Sequence, residues 1–517
     1  MPEADLILTN ANIITIDPTH PCGSTLAVKN GNILAVSESD NFDCLQSSIT
    51  KVIDCQGYTI LPGFHDAHCH PVGLAESLIS PDLSHSSIRS ITDIQQLLKK
   101  TASITPEGNW IRARGYNEFY LPGQNHPTRY DLDKVTTNHP IKLTHRTGHA
   151  HVLNSLGLGM AGIYIDTPEP PGGVIDRDAE TGEPTGILYE MGTYLNEVIP
   201  PLHDKELERG VRLASQQLIS HGITSVQDAS VRNGLQRWQK YQQWKQDGFF
   251  IPRIGMMIGS EAVQQFSEQG LITGTGDDEQ TVGAVKIILH EATGQINYSE
   301  NELCKKVRHI HKLGYQVAIH AVTETAVEAA YQALKYAIVD TPRHDHRHRI
   351  EHCSVCKPDV ATSLHEIGVV IATQPAFIYY NGERYLETVP SELIDHLYPV
   401  STLIDAGITV AASSDCPVVS PDPMFGIYAA VSRQSVTGQS IAPQQAIHID
   451  KALALHTIAP AYAQFTENIK GSITPGKLAD LVILSKDPLQ IAPDEIREIE
   501  VFMTILGGQI EYQNGLL

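Results

Sequence analysis

Residues 59–70 read TILPGFHDAHCH, an apolar run that closes on two histidines. In an extended segment, side chains i and i+2 lie on one face, so His68 and His70 project together and can present two nitrogens to one divalent ion. Asp66 shares that face and is placed to orient a histidine by hydrogen bonding. A lone His-x-His pair proves little, because paired surface histidines are common. Weight comes from what surrounds it. Seven further short apolar runs alternate with helical patterns: IKLTHR at 141–146, GITSVQDAS at 222–230, GAVKIILHEA at 283–292, YQVAIHA at 315–321, HRIEHC at 348–353, GVVIATQP at 368–375 and GITVAASSD at 407–415. The intervening helices include LERGVRLASQQLISHG and TETAVEAAYQALKYAI. Strand–helix alternation of this kind predicts a parallel α/β architecture. Eight such units suit a (β/α)8 TIM barrel, whose site lies at the C-terminal ends of the strands. His320 ends VAIHA, His352 ends RIEHC and Asp415 ends AASSD. In a barrel these polar ends converge with His68 and His70 on one mouth.

The chain ends have a different texture. Residues 5–58 read as short strands broken by Asn30-Gly31 and Gln56-Gly57 turn signals, and strand-like runs return in GSITPGKLADLVILSKDP and EVFMTILGGQIEYQNG. Residues 1–58 and 456–517 are therefore expected to build one composite β-sandwich, with the barrel over 59–455. The stretch 72–140 is too long for a loop and carries the helical pattern SITDIQQLLKKTA, which predicts an insertion or lid.

Composition narrows the partners. The chain has 517 residues, and 37 Lys+Arg against 59 Asp+Glu gives 37 − 59 = −22, which argues against a nucleic-acid or anionic-membrane surface. No apolar run reaches the roughly 18–20 residues that cross a bilayer, and the first residues lack a signal-peptide pattern. A cytoplasmic protein is expected. The eight cysteines are too sparse for a disulfide scaffold. Cys353-x-x-Cys356 has no second pair to complete a zinc knuckle, so buried thiols are expected there. Alternation turns Cys69 away from the histidine face, and Cys416 is read as packing. His344, His346 and His348 alternate in TPRHDHRHRIEH and are expected in a solvated loop, away from any metal.

The chain resembles the amidohydrolase superfamily, and within it the YtcJ-like branch that includes N-substituted formamide deformylases. The motifs that carry this are LPGFHDAHCH at 61–70, GHAHVLNSLGL at 148–158, GGVIDRDAETGEPTGILYE at 172–190, AVKI at 284–287, IHAVTETAV at 319–327, RIEHC at 349–353, SSDCPVVSPDP at 413–423, LALHTIAPA at 453–461 and GSITPGKLADLVIL at 471–484. The resemblance spans nearly the whole chain and implies a barrel flanked by a sandwich built from both termini. It implies His68, His70, Lys286, His320, His352 and Asp415 as the metal set, with Lys286 carboxylated to bridge two ions and Glu291 as the alternative bridge. Imidazole and carboxylate ligands suit zinc, one or two ions per chain, without excluding other divalent transition metals. Asp415 is the implied general base and proton donor, and His149 an implied substrate contact that polarises the scissile carbonyl. The roles of His151 and His290 stay open; His290 stands where relatives often carry aspartate.

The implied reaction is hydrolysis of a C–N amide bond in a small N-acyl or N-formyl amine. A deaminase or cyclic-amide hydrolase is the runner-up. A deaminase would place a glutamate three residues after the strand-five histidine, whereas here Thr323 holds that position and Glu324 follows. A non-enzymatic regulatory protein on the same scaffold is the third reading. The partner expected is a small-molecule substrate, and the expected assembly a homodimer.

Overall fold

The structure is a computed structural model that describes residues 3–39, 42–84, 87–290, 296–515. Eight parallel strands form one sheet: β1 (Phe64–Cys69), β2 (Ile223–Asp228), β3 (Arg253–Gly259), β4 (Gln280–Ile288), β5 (Val317–Ala321), β6 (Arg349–His352), β7 (Val370–Thr373) and β8 (Thr409–Ala412). Each pairs in parallel with its neighbour in chain order, as in Lys286 opposite Ala318 and Ala321 opposite His352. At the C-terminal end β8 returns to β1: the Asp415 amide donates to the His68 carbonyl at 2.8 Å, and the His70 amide to the Cys416 carbonyl at 2.9 Å. The expected TIM-like barrel is therefore present and nearly closed, and its seam lies at the His-x-His pair.

Seven of the eight predicted barrel strands are found. Residues 141–146 are the exception. Ile141–His145 is the fourth strand of a separate five-stranded sheet, between Ala150–Leu153 and Ile111–Tyr116. Its place in the barrel is taken by β3, RIGMMIG, which the sequence did not single out. Both runs are fully buried. Burial makes them apolar without saying in which sheet. The glycines that weaken the strand signal in β3 are there for close packing. A Cβ at Gly255 would lie 2.4 Å from the Gln464 amide nitrogen, and one at Gly259 would lie 2.1 Å from the Val231 carbonyl oxygen.

The termini build the composite β-sandwich. One sheet orders Asn32–Ser37, Thr25–Lys29, Leu6–Thr9 and Lys51–Asp54; the other orders Gln509–Gln513, Val501–Leu506, Leu481–Leu484, Thr59–Pro62, Asn12–Ile14 and Cys22–Gly23. Leu8, Leu26 and Val28 from the first sheet pack with Ile13, Ile60, Leu481, Ile483 and Ile505 from the second. Thr59–Pro62, expected as the start of the first barrel strand, pairs antiparallel with Leu481–Leu484 instead. At the other end Ala463 packs with the barrel residues Ala67, Ala372 and Ala411, so the chain after 456 joins the sandwich only later. Asn30 and Gly31 both adopt positive φ, +50° and +77°, as the hairpin turn between Thr25–Lys29 and Asn32–Ser37 requires.

The chain divides into two compact units. One holds the barrel and the sandwich; the other runs Pro71–Ala214 with Leu289–Ser299. The insertion expected over 72–140 is the first half of this second unit. It contains the predicted helix Ile91–Ala102, whose Ser90 hydroxyl accepts from the Asp93 amide at 3.2 Å. Among the described residues no helix is long and apolar enough to cross a membrane.

One expectation fails clearly. His344 is exposed, but His346 is 4% and His348 0% exposed. His348 Nδ1 accepts from the Val317 amide at 2.9 Å, and its Nε2 lies 2.8 Å from His311 Nδ1. His346 Nε2 donates to the Ile367 carbonyl at 2.9 Å. His346 and His348 are thus the inward face of the lead-in to β6, while His344 stays in solvent. Burial pushes His346 down to about 4 and holds His348 well below the ordinary imidazole value. The unfolded chain protonates these rings near pH 6.5, so their contribution to stability is complete above about 6.5 and falls with pH below it, that of His346 being lost by about 4. The urea midpoint should fall across that window, and fall less in His346→Gln; equal slopes would show that His346 does not drive the loss.

Candidate active site

The ends of the barrel strands bring the predicted residues together. His68 Nε2 lies 3.6 Å from Asp415 Oδ1, and His70 Nε2 lies 3.1 Å from the same oxygen. Lys286 Nζ stands 3.4 Å from His68 Nε2. The imidazoles form a row, with ring centres 5.5 Å apart from His70 to His68, 4.8 Å from His68 to His352 and 4.4 Å from His352 to His320. One donor atom each from His68, His352 and Asp415 falls within 4.8 Å of the others.

The outer nitrogens of three of these rings are tied. His68 Nδ1 bonds the Glu351 carboxylate, His70 Nδ1 lies 2.9 Å from the Ser230 hydroxyl, and His352 Nδ1 donates to Gln374 Oε1 at 2.8 Å. Gln374 is itself oriented by donating to the Ser413 hydroxyl at 2.9 Å. Spending Nδ1–H on an outer acceptor leaves the Nε2 lone pair of His68 and of His352 facing inward, as ligation requires. Charge agrees. Burial, then the neighbouring Lys286, holds His68 well below the ordinary imidazole value, so it stays neutral. Burial alone would raise Asp415, but the hydrogen bond from His70 and the rings packed around it hold its carboxyl well below the usual range. Neutral imidazoles and a buried carboxylate converging on one point fit a divalent cation.

Backbone geometry sets these side chains. His352 and Asp415 have φ of +72° and +56°, a left-handed conformation that costs a non-glycine residue about 1–2 kcal/mol. Adjacent strand residues normally point to opposite faces. The turn at His352 breaks that rule. Glu351 reaches His68 Nδ1, and His352 lies tilted against the same ring. Glu351 is held in turn by Arg349, whose Nε donates to Oε1 at 2.7 Å and Nη2 to Oε2 at 3.0 Å. The sequence offered one signal for Glu351: two opposite charges two apart in the short strand RIEH. Losing such an outer partner typically costs about 10–100-fold in metal affinity. Glu351→Gln should show a loss of that order in chelator competition with little change in secondary structure. Unchanged affinity would remove Glu351 from the site.

Other expectations are redistributed. Asp66 does not orient a ring. Its Oδ1 accepts from the amides of His68 and Ser414, both at 3.1 Å, and its Oδ2 from the Ser414 hydroxyl at 2.5 Å, which pins β1 to the loop after β8. Burial pushes Asp66 up to about 6. Cys69, Cys353, Cys356 and Cys416 are buried free thiols. Glu324 begins the helix Glu324–Asp340 and pairs with Lys357 at 2.7 Å. His151 is buried, with Nδ1 3.3 Å from the Thr144 hydroxyl. His149 and His290 both lie in the second unit, against Glu190. Glu291 lies outside the described residues.

Residues 51–512 match the amidohydrolase family. The chain belongs to that family. This amidohydrolase is 28% identical to an N-substituted formamide deformylase of Arthrobacter pascens, over 98% of both chains. It is also 28% identical to the putative amidohydrolase YtcJ of Bacillus subtilis (strain 168), over 90% of this chain and 91% of the relative. Its fold is that of an uncharacterized metal-dependent hydrolase from Pyrococcus horikoshii, with a TM-score of 0.76 at 23% identity, over 95% of this chain and 99% of the other.

Proposed function

We propose that this amidohydrolase is a metal-dependent hydrolase that cleaves the C–N bond of a small N-acyl or N-formyl amine. The observation that carries the reading is the convergence of His68, His352 and Asp415 on one point, with the outer nitrogens of both rings already bonded. His68, His70, His320, His352 and Asp415 would hold one or two divalent ions, with zinc the best match to the donors. Such an ion lowers the pKa of bound water from about 15.7 to near 7 and polarises a carbonyl oxygen. Asp415 then takes the proton from the attacking water and passes it to the leaving amine. Glu351 and Arg349 keep His68 in its ligating tautomer throughout. Burial pushes Lys286 down to about 8, which brings the uncharged amine within reach near neutral pH. That amine is the form that adds carbon dioxide at Nζ, with loss of a proton, and the resulting carbamate of Lys286 would supply an anionic donor to the ions.

Amide hydrolysis is preferred to deamination because Glu324 is engaged with Lys357 on a helix start. The full overlap with a formamide deformylase favours a small acyl group. Turnover should be screened over formamides, N-acyl amino acids, cyclic amides and aminated heterocycles, using chelator-treated and zinc-reloaded protein. Metal-dependent release of an amine with formate or another small acid is expected. Ammonia release from the heterocycles alone would establish a deaminase, and metal-independent turnover would overturn the reading.

A further inference from the structure

A second cluster of metal-ligating side chains lies wholly within the second unit. His149 immediately precedes the strand Ala150–Leu153, and Glu190 immediately follows the strand Pro184–Tyr189. These strands pair antiparallel with Ala150 opposite Tyr189, and the Glu190 amide donates to the His149 carbonyl at 2.8 Å. The two side chains therefore leave the same end of the sheet side by side. His290 joins them from the segment 289–299, anchored by its amide donating to Asn297 Oδ1 at 3.0 Å. Glu190 Oε1 lies 2.9 Å from His149 Nδ1, and Oε2 lies 2.8 Å from His290 Nδ1. The contact with His290 satisfies no hydrogen bond of ordinary geometry. One donor atom from each of the three falls within 4.8 Å of the others.

We infer that His149, Glu190 and His290 form a divalent-cation site of their own, sharing no residue with the barrel set. Two imidazoles and one carboxylate are a zinc donor set that leaves a coordination position for water or an outside ligand. The backbone is committed to the arrangement. Glu190 holds φ at +54°, a left-handed conformation at a residue type with no preference for it, and such outliers gather at functional positions. His149 is 41% exposed and His290 28%, so an ion can enter from solvent. This site does not depend on the barrel chemistry proposed above.

The test uses the full chain with the barrel ligands disabled by His68→Ala and Asp415→Asn, stripped with chelator and titrated with Zn2+ by calorimetry and with Co2+ by visible absorption. One equivalent should remain in this background. It should vanish with added His290→Ala and weaken with Glu190→Gln by more than the roughly 10–100-fold of a lost outer partner. Should the background fail to fold, total zinc in the otherwise unaltered chain decides, and Glu190→Gln or His290→Ala should remove one equivalent. A folded background that binds no ion, as when Glu190 merely pairs with two protonated rings, overturns the site. So does an equivalent that survives both substitutions. Failure of the barrel reading looks different: the unaltered chain would then bind a single ion, lost with His290→Ala.

Discussion

Asp415→Asn is expected to lower kcat by about 10³-fold or more while leaving the fold intact. The size follows from role: a positioned general base contributes about 10²–10⁴-fold, and the amide can neither take the proton from water nor supply charge to a cation. Retention of the fold follows from the backbone. Position 415 sits at φ +56°, and asparagine is one of the few side chains that tolerate this region. The amide of residue 415 would still donate to the His68 carbonyl across the barrel seam. Burial offers no obstacle, because asparagine is uncharged. Steady-state kinetics with circular dichroism and thermal melts check this. A folded variant with kcat within tenfold of the parent would show that Asp415 is not the base.

Lys286→Ala should lose at least about 100-fold in turnover, beyond what an outer-shell partner supplies, together with bound metal. Lys286 is only 1% exposed, so truncation leaves a cavity, and a large-to-small change of this kind costs about 2–5 kcal/mol in stability by itself. Two controls separate these effects. Short carboxylic acids such as acetate or propionate should partly restore activity in Lys286→Ala, by supplying the anion that a carbamate would have provided. Lys286→Met fills the space without an anion and should stay inactive with or without added acid. Full activity and unchanged metal content in Lys286→Ala would show that no carbamate operates.

The side chains that gather at the barrel mouth could be read from the chain because the relevant order is local. Alternation with period two puts His68 and His70 on one face, and an apolar run that ends in a polar residue marks His320, His352 and Asp415 at strand ends. The sandwich was equally legible, since its turns announce themselves in Asn30-Gly31 and in the repeated short strands at both termini. Three features were not. Ile141–His145 and Arg253–Gly259 are both short and buried, and only long-range pairing assigns the first to a side sheet and the second to the barrel. Glu351 meets His68 across 283 positions, through a left-handed turn at His352 that suspends the alternation used to read every other strand. His346 and His348 look like surface charge in sequence, yet the fold closes over them.

Residue types and their spacing along each strand thus set what chemistry could gather at the barrel mouth, because these depend on backbone geometry a few residues long. Which groups would orient the ligands, which strands would close the ring, and which histidines would be sealed from water depended on surfaces brought together from distant parts of the chain. Such contacts arise from burial and pairing across the whole domain, and no short stretch of sequence encodes them.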